Sequence, residues 1–188
     1  MSTPVEFWVD PACPWCWVTA RWIVDEVAGP RDLDITWRPI SLLFKNEPPE
    51  DSPYYAGVVN THKLLRVMES LRAGGASNAD IQRYYLSWGT RVHSDDERDF
   101  DTAAVAAGLE HLGLDPKHAD AYEDTTWDAA IRESMDAAFE LVGTDVGTPI
   151  IAFTADDGVK RGMFGPVITR VPLPEQSLAV WDAMQALT

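Results

Sequence analysis

The stretch Val5-Glu6-Phe7-Trp8-Val9-Asp10-Pro11-Ala12-Cys13-Pro14-Trp15-Cys16-Trp17 decides how the rest of the chain is read. Val5 to Val9 is a run of β-branched and aromatic residues closed by Asp10-Pro11, which predicts a buried strand. From Pro14 the period changes. Trp17, Ala20, Val24 and Val27 recur at helical spacing, with Arg21, Asp25 and Glu26 on the outer face, so a helix is expected over 14–28. Gly29-Pro30 stops it, and Leu33-Asp34-Ile35-Thr36-Trp37 alternates like a second strand. Strand, helix and strand in so short a span predict a βαβ unit with a right-handed crossover.

Beyond the loop Asn46-Glu47-Pro48-Pro49-Glu50 the helical period takes over. Helices are expected over about 54–72, 78–88, 99–113 and 123–142, separated by Gly74-Gly75, by His93-Ser94-Asp95-Asp96 and by Asp115-Pro116. Strand signals return at Thr148-Pro149-Ile150-Ile151-Ala152-Phe153. Asp156-Asp157-Gly158 is turn chemistry, and Val159 to Phe164 reads as the return strand of a hairpin. A last helix is expected over about 175–187. The order βαβ, helices, ββα predicts an α/β protein: a thioredoxin-like domain over 1–46 and 144–188, carrying an all-helical insertion over 47–143.

The 188 residues suffice for one domain with an insertion, and 46% hydrophobic residues with eight tryptophans supply the core. Thirty acidic against fifteen basic residues give a net charge of −15, which repels phosphate backbones and anionic lipid. Neither nucleic acid nor membrane is an expected partner. Met1-Ser2-Thr3-Pro4 carries no basic or long apolar leader, so no secretory signal is expected. The expected compartment is the cytoplasm, where thiols stay reduced.

The two cysteines, Cys13 and Cys16, stand where strand gives way to helix, the context that makes a C-x-x-C a redox motif. Pro14 suits the first helical turn, because its missing N–H has no intrahelical partner there. Cys13 then falls at the cap, beside free backbone N–H groups and the positive end of the helix dipole. Both are expected to favour its thiolate, as at other helix-mouth cysteines. Spacing makes Cys13 the attacking sulfur and Cys16, one turn inward, the resolving one. The bland alternatives are an inert pair or a zinc site. Zinc needs two further ligands, and His62, His93, His111 and His118 lack paired ligand spacing, so no metal is expected. No glycine-rich phosphate loop or flavin fingerprint is present, so no bound cofactor is expected either.

These residues carry a resemblance. Phe7 to Trp17 with Arg21-Trp22-Ile23, Ser41-Leu42 with Asn46-Glu47, Gly89-Thr90-Arg91-Val92-His93, Asp145-Val146-Gly147-Thr148-Pro149 and Phe164-Gly165-Pro166-Val167 together resemble the actinobacterial DsbA-like oxidoreductases, most nearly the mycothiol-dependent nitroreductase type. The resemblance covers nearly the whole chain. It implies that Pro149 is cis and packs on the dithiol, and that the backbone of Thr148 pairs with substrate. Trp15, next to Pro14, would form part of a substrate platform, and Asn46 and Tyr54 would border the dithiol. His93 would line the cleft. It further implies mycothiol, a low-molecular-weight thiol, as co-substrate, an electrophilic small molecule as substrate, and a homodimer.

Several features have a plainer reading. Trp17, Trp22, Trp37 and Trp181 fall on apolar faces as core, and Asp95-Asp96-Glu97-Arg98-Asp99 reads as a solvated helix entrance. Competing functions are a general protein disulfide oxidoreductase or isomerase, and a redox-sensing binding module. A kappa-type transferase or hydroxychromene-carboxylate isomerase shares the architecture without the paired cysteines.

Overall fold

Alternation along the first strand sets up two layers. In β1 (Thr3–Val9) Val5, Phe7 and Val9 point to one side of the sheet, and Glu6 and Trp8 to the other. The structure is a computed structural model that describes residues 2–154 and 158–188. α1 (Pro14–Trp22) follows, and β2 (Leu33–Pro39) pairs in parallel with β1, with Phe7 beside Trp37. α1 runs on into a wider π-helical turn over Ile23–Val27, where the Ala28 N–H donates to the Ile23 carbonyl at 2.8 Å.

Between β2 and β3 the chain is helical: α2 (Leu42–Asn46), α3 (Tyr55–Ala73), α4 (Asn78–His93), α5 (Thr102–His111), two 3₁₀ segments (Pro116–Tyr122 and Thr125–Trp127) and α6 (Asp128–Val142). β3 (Ile150–Thr154) then pairs antiparallel with β1, and β4 (Lys160–Phe164) antiparallel with β3. The sheet order is β2-β1-β3-β4. α7 (Pro174–Leu187) closes the chain. This is the expected α/β class, a thioredoxin-like core with helices between its halves. Of the expected hairpin turn, Asp156 and Asp157 lie outside the described residues.

Tryptophan supplies much of the interior. Trp8, Trp22, Trp37, Trp88 and Trp181 are fully buried. Each removes about 150–250 Å² from water, roughly 4–6 kcal/mol of transfer free energy. On one face Phe7 stacks on Trp37 at 5.2 Å and Trp37 on Tyr85 of α4 at 5.5 Å, while Trp181 of α7 meets Trp22 and Phe153. On the other face the Trp8 indole N–H donates to the Ser134 carbonyl of α6 at 2.9 Å.

A largely buried polar chain ties α3 and α6 to the N-terminus of α2. Arg66 grips both carboxylate oxygens of Asp128, at 2.6 and 3.0 Å, and His62 Nε2 lies 3.0 Å from the same carboxylate. Ser41 Oγ is 2.9 Å from His62 Nδ1 and caps α2 by accepting the Phe44 N–H. Burial pushes His62 down to about 4, so the ring is neutral, with Nε2–H donating to Asp128 and Nδ1 accepting from Ser41.

Three boundaries differ from the sequence reading. The helix expected over 99–113 starts only at Thr102, because the Asp101 carboxylate caps it by accepting the Ala104 N–H at 2.7 Å. The one expected over 123–142 starts at Asp128, after Asp124 caps a separate turn through the Thr126 N–H. The third, expected to end at 88, runs through Gly89 to His93.

Gly89 is a close-approach site within α4. A Cβ there would lie 2.3 Å from Cδ1 of Trp17, the residue after Cys16. Gly89→Ala is therefore expected to destabilise the protein by about 1–3 kcal/mol through overpacking. In a urea titration its midpoint should fall. That of Gly57→Ala, whose Cβ meets nothing within 4 Å, should hold or rise. Equal midpoints would contradict this account of Gly89.

Candidate active site

Cys13 occupies the N-cap of α1 in extended conformation, with Pro14 at the start of the helix. Its Sγ accepts the Cys16 backbone N–H at 3.4 Å, and its S–H donates to the Thr148 carbonyl at 3.5 Å. Cys13 is 7% exposed and Cys16 0%, so a reactant from solvent meets the first sulfur. Both thiols are free. Pro14 and Trp15 stand out on the surface between them, Trp15 at 43% exposure.

Thr148 meets both sulfurs. Its carbonyl faces Cys13, while its Oγ1 lies 3.2 Å from Cys16 Sγ and 2.8 Å from the Trp8 carbonyl. The Thr148–Pro149 peptide is cis, and both residues are buried. The Tyr85 hydroxyl of α4 donates to Cys16 Sγ at 3.4 Å.

The loop before Cys13 is held by Asp10, which is fully buried. One carboxylate oxygen accepts the Ala12 N–H at 2.8 Å and the other the Leu42 N–H, the first of α2, at 2.6 Å. The polar chain from Arg66 to Ser41 thus ends one residue from the clamp on the dithiol loop. His93 Nε2–H donates to the Pro11 carbonyl at 2.9 Å, and its ring tilts against Trp17. Burial pushes the His93 imidazole below its usual range, outweighing that bond, which favours the charged ring, so His93 is neutral and structural.

Electrostatics depart from the helix-mouth expectation. Burial pushes the Cys13 thiol up. The Cys16 and Trp15 N–H groups work against that, and the Asp10 carboxylate adds to it. Desolvation outweighs the cap, so the thiolate is not favoured in the reduced state. Cys16 is pushed up to about 12, first by burial and then by Cys13, against the Thr148 and Tyr85 hydroxyls and the Asp10 N–H. Burial also lifts Asp10 to about 6 despite its two N–H donors.

A cleft of about 820 Å³ opens beside the dithiol, with Ala12, Leu42, Asn46, Tyr54, Asn60 and Arg98 among its walls. Asn46 closes α2 and is exposed, and Tyr54 is 73% exposed. Trp15, Thr148 and Pro149 are not part of that lining. The acidic run expected to be only a solvated entrance places Asp96, Arg98 and Asp99 on the cleft wall. Sequence reasoning missed Asp10 and Tyr85. Asp10 read as strand punctuation, and Tyr85 was not singled out within the helix expected over 78–88.

Comparison with known proteins adds the following. The model of the family described as Rv2466c-like, mycothiol-dependent nitroreductase Rv2466c, matches residues 12–188. The uncharacterized protein Rv2286c of Mycobacterium tuberculosis is 26% identical, over 98% of this chain and 77% of its own length. Among solved structures, the cytosolic disulfide reductase DsbM from Pseudomonas aeruginosa superposes with a TM-score of 0.66 at 12% identity, covering 98% of this chain and 100% of that one. A 2-hydroxychromene-2-carboxylate isomerase superposes at 0.61 and 17% identity, covering 98% and 95%. At such identities these two share the fold, and a reductase and an isomerase on one fold show that chemistry follows the site.

Removing the Asp10 charge takes a negative neighbour from Cys13, which favours the thiolate. In a Cys16→Ser background, Asp10→Asn should therefore make Cys13 titrate at lower pH, followed by the ultraviolet absorbance of the thiolate. A curve that stays put or moves to higher pH would contradict the field assigned to Asp10.

Proposed function

The chain belongs to the family of Rv2466c-like mycothiol-dependent nitroreductases, and from that premise we propose a specific cycle for its Cys13–Cys16 dithiol. The observation that carries it is the asymmetry of the pair: Cys13 at the helix mouth within reach of solvent, Cys16 sealed behind it.

In the reductive half, two electrons and two protons leave the dithiol as the Cys13–Cys16 bond forms. A nitro group that takes them becomes a nitroso group and water. A mixed disulfide that takes them is split into two thiols. In the regenerating half, a mycothiol thiolate attacks Cys13 Sγ and Cys16 departs as thiolate. A second mycothiol then attacks the mycothiol sulfur of the mixed disulfide, which frees Cys13 and forms mycothiol disulfide.

The thiol energetics support the reducing direction. For both sulfurs the loss of water outweighs the local donors, so the reduced form holds no special advantage and gives up electrons readily. The cleft beside Ala12 would receive the electrophile against Asn46 and Tyr54, with Asn60, Arg98 and Asp99 as partners for polar groups of the thiol. Trp15 would cover the bound molecule, and the Thr148 backbone beside Pro149 would pair with it. A working site in the cytoplasm suits a dithiol that must be kept reduced.

The exposed Trp15 favours a second reading, reduction of protein disulfides. Insulin reduction assayed beside nitroaromatic turnover separates the two.

Cys16→Ser incubated with mycothiol disulfide should gain one mycothiol, mapped to Cys13 by mass spectrometry, and Cys13→Ser should gain none. Either change should lower mycothiol-driven nitroaromatic turnover by about 100-fold or more. An adduct on Cys16 alone would reverse the roles, and full turnover without Cys16 would rule out the dithiol cycle.

A further inference from the structure

Opening the Cys13–Cys16 bond leaves a problem that the position of Cys16 makes acute. When a thiolate attacks Cys13, the bonding pair goes to Cys16 Sγ. That sulfur, 0% exposed, has to carry the new charge without water. We infer that the hydroxyls of Tyr85 and Thr148 form a two-donor cradle for the departing Cys16 thiolate, with Tyr85 a catalytic residue contributed by α4. The inference rests on the dithiol cycle proposed above and assigns the group that makes its ring-opening step attainable.

Three observations carry it. First, Tyr85 differs from the other fully buried tyrosines in where its proton goes. Tyr84 donates to the Leu64 carbonyl at 2.9 Å and Tyr122 to the Phe100 carbonyl at 3.0 Å, each satisfying backbone. Tyr85 donates to a reacting sulfur at 3.4 Å. Second, its aim is fixed, because the ring lies stacked on Trp37 with centroids 5.5 Å apart and planes 28° apart.

Third, Thr148 can change partner. Its single hydroxyl proton has two acceptors in reach, the Trp8 carbonyl at 2.8 Å and Cys16 Sγ at 3.2 Å, and while Cys16 is a thiol the carbonyl is the stronger acceptor. In that state the Cys16 S–H donates to the same Trp8 carbonyl at 3.9 Å, and Thr148 Oγ1 stands 3.2 Å from Cys16 Sγ. Once the sulfur is a thiolate, the same hydroxyl can turn and donate to it. Tyr85 supplies the standing donor and Thr148 the switching one, which is the logic of an oxyanion hole applied to sulfur.

In the closing step the cradle works in reverse. It holds the Cys16 thiolate until that sulfur attacks Cys13 of the mixed disulfide, expelling the other thiol as thiolate. Burial and the nearby Cys16 charge hold the Tyr85 hydroxyl well above the ordinary tyrosine range, so it remains a donor throughout.

The test is the rate at which oxidised protein is opened by excess mycothiol, read by acid quench and mass spectrometry. Tyr85→Phe keeps the stacked ring and should slow opening about ten-fold, the low end for one donor to a charged group because sulfur bonds are long. Alkylation of Cys13 by iodoacetamide in a Cys16→Ser background should stay within about two-fold on adding Tyr85→Phe, since no Cys16 charge forms there. If Tyr85→Phe does not fold, Thr148→Ser and Thr148→Ala read the other hydroxyl: Ser should open at about the native rate and Ala about ten-fold slower. Opening at the native rate in Tyr85→Phe, or an equal loss in the alkylation control, would overturn the cradle. Failure of mycothiol to open the native disulfide would overturn the cycle itself, and the cradle with it.

Discussion

Two sulfurs are withdrawn from water at the mouth of α1, and much of the surrounding structure answers that desolvation. Cys16 has Thr148, Tyr85 and the Asp10 N–H around it, and Cys13 has the Cys16 N–H and the Thr148 carbonyl. None of these overturns burial, which pushes both thiols up. A helix N-terminus acts on a thiolate only as far as the sulfur can exchange solvent for oriented N–H groups, and here the exchange is incomplete. Such a dithiol is poorly suited to an oxidant, whose reduced form must be stabilised, and well suited to a donor of electrons.

The helices between β2 and β3 are wired into that site rather than appended to it. Asp10 clamps the dithiol loop to the first N–H of α2. Ser41 caps the same helix, and through His62 it reaches the Asp128–Arg66 pair joining α3 to α6. α4 sends Tyr85 to the buried sulfur and His93 to the Pro11 carbonyl, and at Gly89 it comes close enough to Trp17 to leave no room for a side chain. The cleft wall opposite Ala12 comes from the same helical region. Core and inserted helices therefore build one site between them.

Local signals made much of this legible in the sequence. Period-two and helical spacing marked the strands and helices, and Cys13-Pro14-Trp15-Cys16 at a strand-to-helix junction named the chemistry and its location. What escaped notice depended on tertiary distance. The role of Gly89 was hidden because a lone glycine in sequence cannot reveal the indole packed against it. Tyr85 was indistinguishable from Tyr84, since helical spacing predicts a buried face and not which hydroxyl meets a sulfur. Asp10 read as punctuation because its partner, the Leu42 N–H, lies far along the chain. The Cys13 expectation failed for the same reason: a cap can be read from sequence, but the degree of burial cannot.

The reduction potential of the Cys13–Cys16 couple, set by equilibration against thiol–disulfide buffers, tests the central claim most directly. A buried pair whose thiolates gain little from their surroundings should fall near the reducing end, about −270 mV as in thioredoxin. A value near −120 mV, the range of a strong oxidant, would mean that the reduced form is stabilised after all and would contradict the account.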